Sequence, residues 1–113
     1  MTNENLPDQM TAVVLDAYTG VEALRIEERP VPKPGPNEVL VKVAASPINP
    51  SDLAFLEGSY GFKKLLPTVP GFEGSGTVVS VGSGMMGRYL NGKEVACLSH
   101  SRKDGVWAEY MVT

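Results

Sequence analysis

A chain of 113 residues with 42% apolar and 20% charged side chains can bury a real core and reads as one globular domain. Its net charge of −3, without any run of Lys or Arg, argues against a nucleic-acid surface. No apolar stretch nears the roughly 18 residues of a membrane span, and the single cysteine, Cys97, rules out an internal disulfide and fits a reducing compartment.

Residues 1–9 (MTNENLPDQ) are polar, carry no element pattern and no signal-peptide pattern, and are expected to be a disordered lead. The folded domain is then 10–113, in a soluble and cytoplasmic protein. Met10 to Ala17 reads as a first strand. After the turn at Thr19-Gly20, residues 23–28 alternate Leu24 and Ile26 against Arg25 and Glu27, a second strand with one wet face. Residues 29–36 (RPVPKPGP) hold four prolines and must be an extended connection, since proline cannot donate to a ladder. Residues 38–46 (EVLVKVAAS) carry the strongest strand signal, with Val39, Val41 and Val43 on one face and Leu40, Lys42 and Ala44 on the other.

The period changes at Asn49-Pro50-Ser51-Asp52. Asn is a preferred N-cap, Pro suits the first helical position, and an acid in the first turn complements the helix dipole. A short helix over 53–57 is expected, with Gly58 as its stop. Residues 59–70 form a loop with two aromatics, Tyr60 and Phe62, and two lysines. Residues 70–84 (PGFEGSGTVVSVGSG) are the organising stretch: Gly71, Gly74 and Gly76 precede the strand of Thr77 to Val81. They are spaced as if the backbone turns tightly and passes close to another segment. Their order is not G-x-G-x-x-G, and a β-branched run follows where a helix would start, so this is not a dinucleotide fingerprint. From these residues alone a Gly-rich strand entry without a ligand stays equally open. Residues 85–92 are expected to be a connection, 94–98 a strand, 100–105 a polar loop and 108–113 a final strand whose open apolar edge invites pairing with more chain. About six strands and one short helix suit a small, mostly antiparallel β-barrel or sandwich.

Five motifs in this order, PGPNEVLVKV at 34–43, INPSD at 48–52, PGFEGSGTVVSVGSG at 70–84, GKEV at 92–95 and GVWAEYMV at 105–112, resemble one family. It is the N-terminal GroES-like domain of the medium-chain dehydrogenase/reductase superfamily, nearest its zinc-independent quinone reductase branch. The resemblance implies a mainly β fold, a GroES-like partly open β-barrel with short helices. It also implies a Rossmann domain holding NADPH or NADH, which is absent from these residues, and a homodimer for the full-length protein. On that reading the chain is partial and inactive alone.

Zinc-dependent members of the family place Cys where Asn49 stands and His where Phe72 stands, and carry four further cysteines in a structural lobe. Neither an amide nor a phenyl ring replaces thiolate or imidazole, so the expectation is no zinc. Cys97 fits a small core residue and His100 a solvated one. What remains is hydride transfer from NADPH or NADH to a quinone or conjugated carbonyl, whose oxygen needs hydrogen-bond donors. By resemblance, Asn49 faces the cofactor and substrate cleft, in competition with plain helix capping. Tyr60 donates to the carbonyl oxygen or supplies its proton, in competition with a loop aromatic covering the core. Ser51 matches a relay hydroxyl on the cofactor side, although a helix-start role accounts for it as well. Glu73 is expected to accept hydrogen bonds near the glycine turns, and Trp107 and Tyr110 to pack the last strand. Three readings stay open: a zinc-independent reductase domain, an alcohol dehydrogenase homologue of the zinc family lacking its ligands, and a non-catalytic GroES-like binding module.

Overall fold

The computed structural model describes residues 5–113, so the first four residues of the expected disordered lead lie outside it. β1 (Gln9–Leu15) and β2 (Leu24–Pro30) form an antiparallel pair, joined through a short 3-10 turn at Val21–Ala23. β3 (Val39–Ala45), β4 (Glu73–Val81), β5 (Glu94–Leu98) and β6 (Tyr110–Val112) form a second antiparallel sheet in the order β5-β4-β3-β6. Residues 107–109 stitch the two sheets together before β6 begins. The Val13 N–H donates to the Trp107 carbonyl at 2.9 Å, and the Glu109 N–H donates to that of Thr11 at 3.2 Å. The result is the expected mainly β, partly open barrel with short helices.

Val39, Val41, Val78, Val81, Cys97 and Met111 form one buried cluster, and Met10, Ala12, Val14, Leu40 and Tyr110 belong to a second. β3 therefore buries both faces at its start. Leu40, on the face opposite the valines, is only 1% exposed because the β1–β2 pair covers that side. Half-buried Trp107 packs against both clusters and against a third built on Leu15, Phe55 and Leu56.

Two elements differ from the sequence expectation. β4 starts at Glu73 rather than Thr77, so Gly74 and Gly76 are ladder residues opposite Cys97 and Val95. Their role is the close approach: a Cβ on Gly76 would collide with the Lys42 carbonyl oxygen of β3. Residues 85–92 are not a bare connection, since Met85–Leu90 forms a helix, α2. Gly87 is buried against Val81 and Val39, while Met85, Met86 and Tyr89 face outward. Six residues are too few to show a helical period, and the glycine contact that seats this helix is visible only in three dimensions.

Candidate active site

The site is built on the start of helix α1 (Pro50–Leu56) and the start of β4. Asn49 is the N-cap in extended conformation, with Pro50 at the first helical position and Asp52 at the third. Asn49 and Asp52 form a capping box. The Asn49 N–H donates to Asp52 Oδ2 at 2.7 Å, and the Asp52 N–H donates to the Asn49 carbonyl at 2.9 Å. The second carboxylate oxygen, Asp52 Oδ1, accepts the Phe72 N–H at 3.3 Å. Asp52 is 1% exposed. One buried carboxylate therefore ties the helix start to the strand entry.

From the residues alone Asp52 is only a first-turn acid, and Glu73 is the acid expected to accept hydrogen bonds near the glycine turns. The structure reverses this. Glu73 is exposed, and its carboxylate makes no hydrogen bond or ion pair among the described residues. Side chains alternate along β4, so a residue next to the buried strand entry can still point to water. The signal available in the sequence was the Asn-x-x-Asp spacing of a capping box.

Past Gly58, which ends α1 in a left-handed conformation (φ 78°), the chain returns over the helix. Its two aromatics land on Phe72: the Tyr60 ring lies 5.0 Å from it and the Phe62 ring 5.9 Å. From below, Phe55 meets Phe72 edge-on at 5.5 Å, and Tyr18 meets Phe55 edge-on at 5.4 Å. Edge-to-face arrangements match the ring quadrupoles, so the cluster is electrostatically favourable as well as apolar. Tyr60 remains 40% exposed, its ring 5.6 Å from that of exposed Phe62, and Ile48 and Leu53, on either side of the helix start, are exposed as well.

Asn49 and Tyr60 are thus brought to one region through Asp52 and Phe72. Ser51, half-buried in the first turn of α1, makes no side-chain hydrogen bond among the described residues. Cys97 is buried in β5, and that burial pushes its thiol above the ordinary cysteine range. His100 is exposed, with Nδ1 accepting the Arg102 N–H at 3.1 Å.

These side chains do not fit a catalytic zinc. Phe72 fills its position with a phenyl ring packed among three others. Among the described residues no group of three His, Cys, Asp or Glu side chains is placed to hold a metal. What the site offers is an amide, a phenol and an aromatic platform.

The alcohol dehydrogenase GroES-like domain family matches residues 35–113. This chain belongs to that family. The GroES-like domain is thereby placed in the medium-chain dehydrogenase/reductase superfamily, in line with its quinone oxidoreductase branch. It is 38% identical over 87 residues to alcohol dehydrogenase 2 of Caenorhabditis elegans, covering 77% of this chain and 24% of that protein. It is 39% identical over 93 residues to the mitochondrial enoyl-acyl-carrier-protein reductase of the same organism, covering 81% of this chain and 26% of that protein. A crystal structure from Mesorhizobium loti, assigned as an NADPH:quinone reductase, superposes with a TM-score of 0.84 at 37% identity, over 96% of this chain and 35% of the other. The GroES-like domain spans about a quarter of the length of these curated relatives. No helix of the described residues is long and apolar enough to cross a membrane.

Proposed function

We propose that this GroES-like domain is the N-terminal catalytic part of a longer, homodimeric oxidoreductase. That enzyme uses NADPH or NADH to reduce a quinone or a conjugated carbonyl, without zinc. The observation that carries this reading is the packing of Phe72 between Tyr60, Phe62 and Phe55, which turns the family's metal position into an aromatic floor. A flat, apolar acceptor suits such a floor, and the enoyl and quinone reductases among its relatives reduce acceptors of that kind by name.

When bound, the nicotinamide supplies the hydride. The protein's share is to hold the acceptor and stabilise charge on its oxygen. The Tyr60 hydroxyl, on a ring tilted against Phe72, is the donor to that oxygen. Asn49, fixed in backbone by Asp52, presents its amide to the cofactor and substrate from the helix start, with Ser51 in the same turn as a secondary cofactor contact. The exposed apolar side chains of Ile48 and Leu53 are suited to exclude water once covered.

The test uses the full-length protein. NADPH oxidation is expected with a benzoquinone and with an enone, and is expected to survive exhaustive dialysis against a chelator. Turnover of simple alcohols alone, lost on chelation, would instead support the alcohol dehydrogenase reading that the 38% identity to such an enzyme favours. Within that assay Tyr60→Phe keeps the ring contact and removes only the donor. It should lower kcat about 100-fold, as loss of one oxyanion donor does, with the melting temperature unchanged. An unaltered kcat would return Tyr60 to a packing role.

A further inference from the structure

A cavity of about 700 Å³ lies between the proline-rich connection, residues 63–69, residues 101–104 and β6. That volume is in the range of small-molecule sites. Its lining includes none of Asn49, Ser51, Tyr60 or Phe72.

The cavity gathers cations in a chain that is acidic overall. Lys33, Lys63, Lys64, Arg102 and Lys103, half of the ten basic residues, line it, against two acids, Glu38 and Asp104. Both acids are already engaged. Glu38 pairs with Lys103, and Asp104 pairs with Arg29, which lies outside the lining, at 3.0 Å. The other four cations have no carboxylate partner among the described residues. Lys64 is the telling member, because a buried ammonium normally has an anion beside it. It is 8% exposed, and Nζ spends one of three donors on the Lys103 carbonyl at 2.7 Å. Desolvation lowers its pKa, with Asp104 partly opposing. The floor is apolar, formed by Val69, Met111 and the ring of Tyr110, whose hydroxyl has no hydrogen-bond partner among the described residues.

Lys63 and Lys64 also lie over the Tyr18 and Phe55 rings, at 5.4 and 6.0 Å, so the cations lack carboxylates and not all contact. Beside an apolar floor they suit a ligand with a charged head and an apolar body. We propose that this cavity binds an organic anion, a carboxylate or phosphate monoester on an alkyl chain, with Lys64 and Arg102 holding the head and Tyr110 bounding the chain. The site is independent of the hydride-transfer reading above.

The test is calorimetric titration of the full-length protein with octanoate and octyl phosphate, with octanol and octylamine as controls. Saturable binding of either anion, weakened at least tenfold in Lys64→Met and by raising salt from 50 to 500 mM, is the expected result. Which anion binds more tightly identifies the head group. Because Lys64 is buried, the exposed double variant Lys33→Glu/Arg102→Glu serves as a second reading, and it too should lose at least tenfold. Equal binding of octanol and octylamine, or anion binding unchanged in the folded double variant, would overturn the assignment.

Discussion

Asp52→Ala is expected to destabilise the domain by about 2–6 kcal/mol, because two backbone N–H groups lose a charged acceptor at once and each costs about 1–3 kcal/mol. The carboxylate accepts from Asn49 at 2.7 Å and from Phe72 at 3.3 Å, and at 1% exposure water cannot replace it. Against the 5–15 kcal/mol typical of whole domains, that loss is large for one side chain. Asp52→Asn is the informative comparison. Its amide keeps one acceptor oxygen but must set an NH₂ against the other N–H, so it should fall between wild type and Ala. Urea unfolding of the three proteins measures this. The full-length protein should also lose turnover in Asp52→Ala well below its unfolding midpoint, since the groups released are the backbones of Asn49 and Phe72. A shift under 1 kcal/mol, with turnover retained, would mean that the helix start and the strand entry hold their positions without the carboxylate.

Gly76→Ala should cost about 3 kcal/mol or more, at the upper end of what overpacking does to a close-packed interior. The added Cβ would meet the Lys42 carbonyl oxygen across the β3–β4 ladder, and Val41 Cγ1 lies 2.8 Å from the same point. Both obstacles belong to a central strand that cannot shift without disturbing β6 on its far side. Gly61→Ala supplies the control, because a Cβ there meets nothing within 4 Å and the backbone is not left-handed. Chemical denaturation of the two variants should separate them clearly. Equal midpoints would show that the two strands have room between them and that Gly76 serves only to punctuate the chain. Gly71 is a harsher site for a different reason: at φ 100° a side chain is strained before it reaches Trp107, 2.5 Å away.

Much of this arrangement was legible in the residues themselves wherever the cause is local. The alternation over 39–45, the Asn-Pro helix start, the Gly58 stop and the strand at 94–98 depend on neighbours one to four positions apart, and all four are found in the fold. Motif order carried the family for the same reason. The spacing of Gly71, Gly74 and Gly76 even announced a close approach, though not which segment would be approached.

What the sequence could not display are contacts between distant positions. Leu40 is buried because the β1–β2 pair, earlier in the chain, covers its face. Met85–Leu90 is a helix seated on the sheet where Gly87 lies against Val81 and Val39. Asp52 at a helix start and Glu73 among the glycines are both acids, and only the fold decides that Asp52 enters the interior to meet Phe72. The same holds for the basic residues Lys63, Lys64, Arg102 and Lys103, unremarkable as isolated charges and a cationic cavity once two loops are drawn together. Local propensity set the elements of this protein; burial, which sums contributions from residues far apart in the chain, decided which polar groups are held inside it.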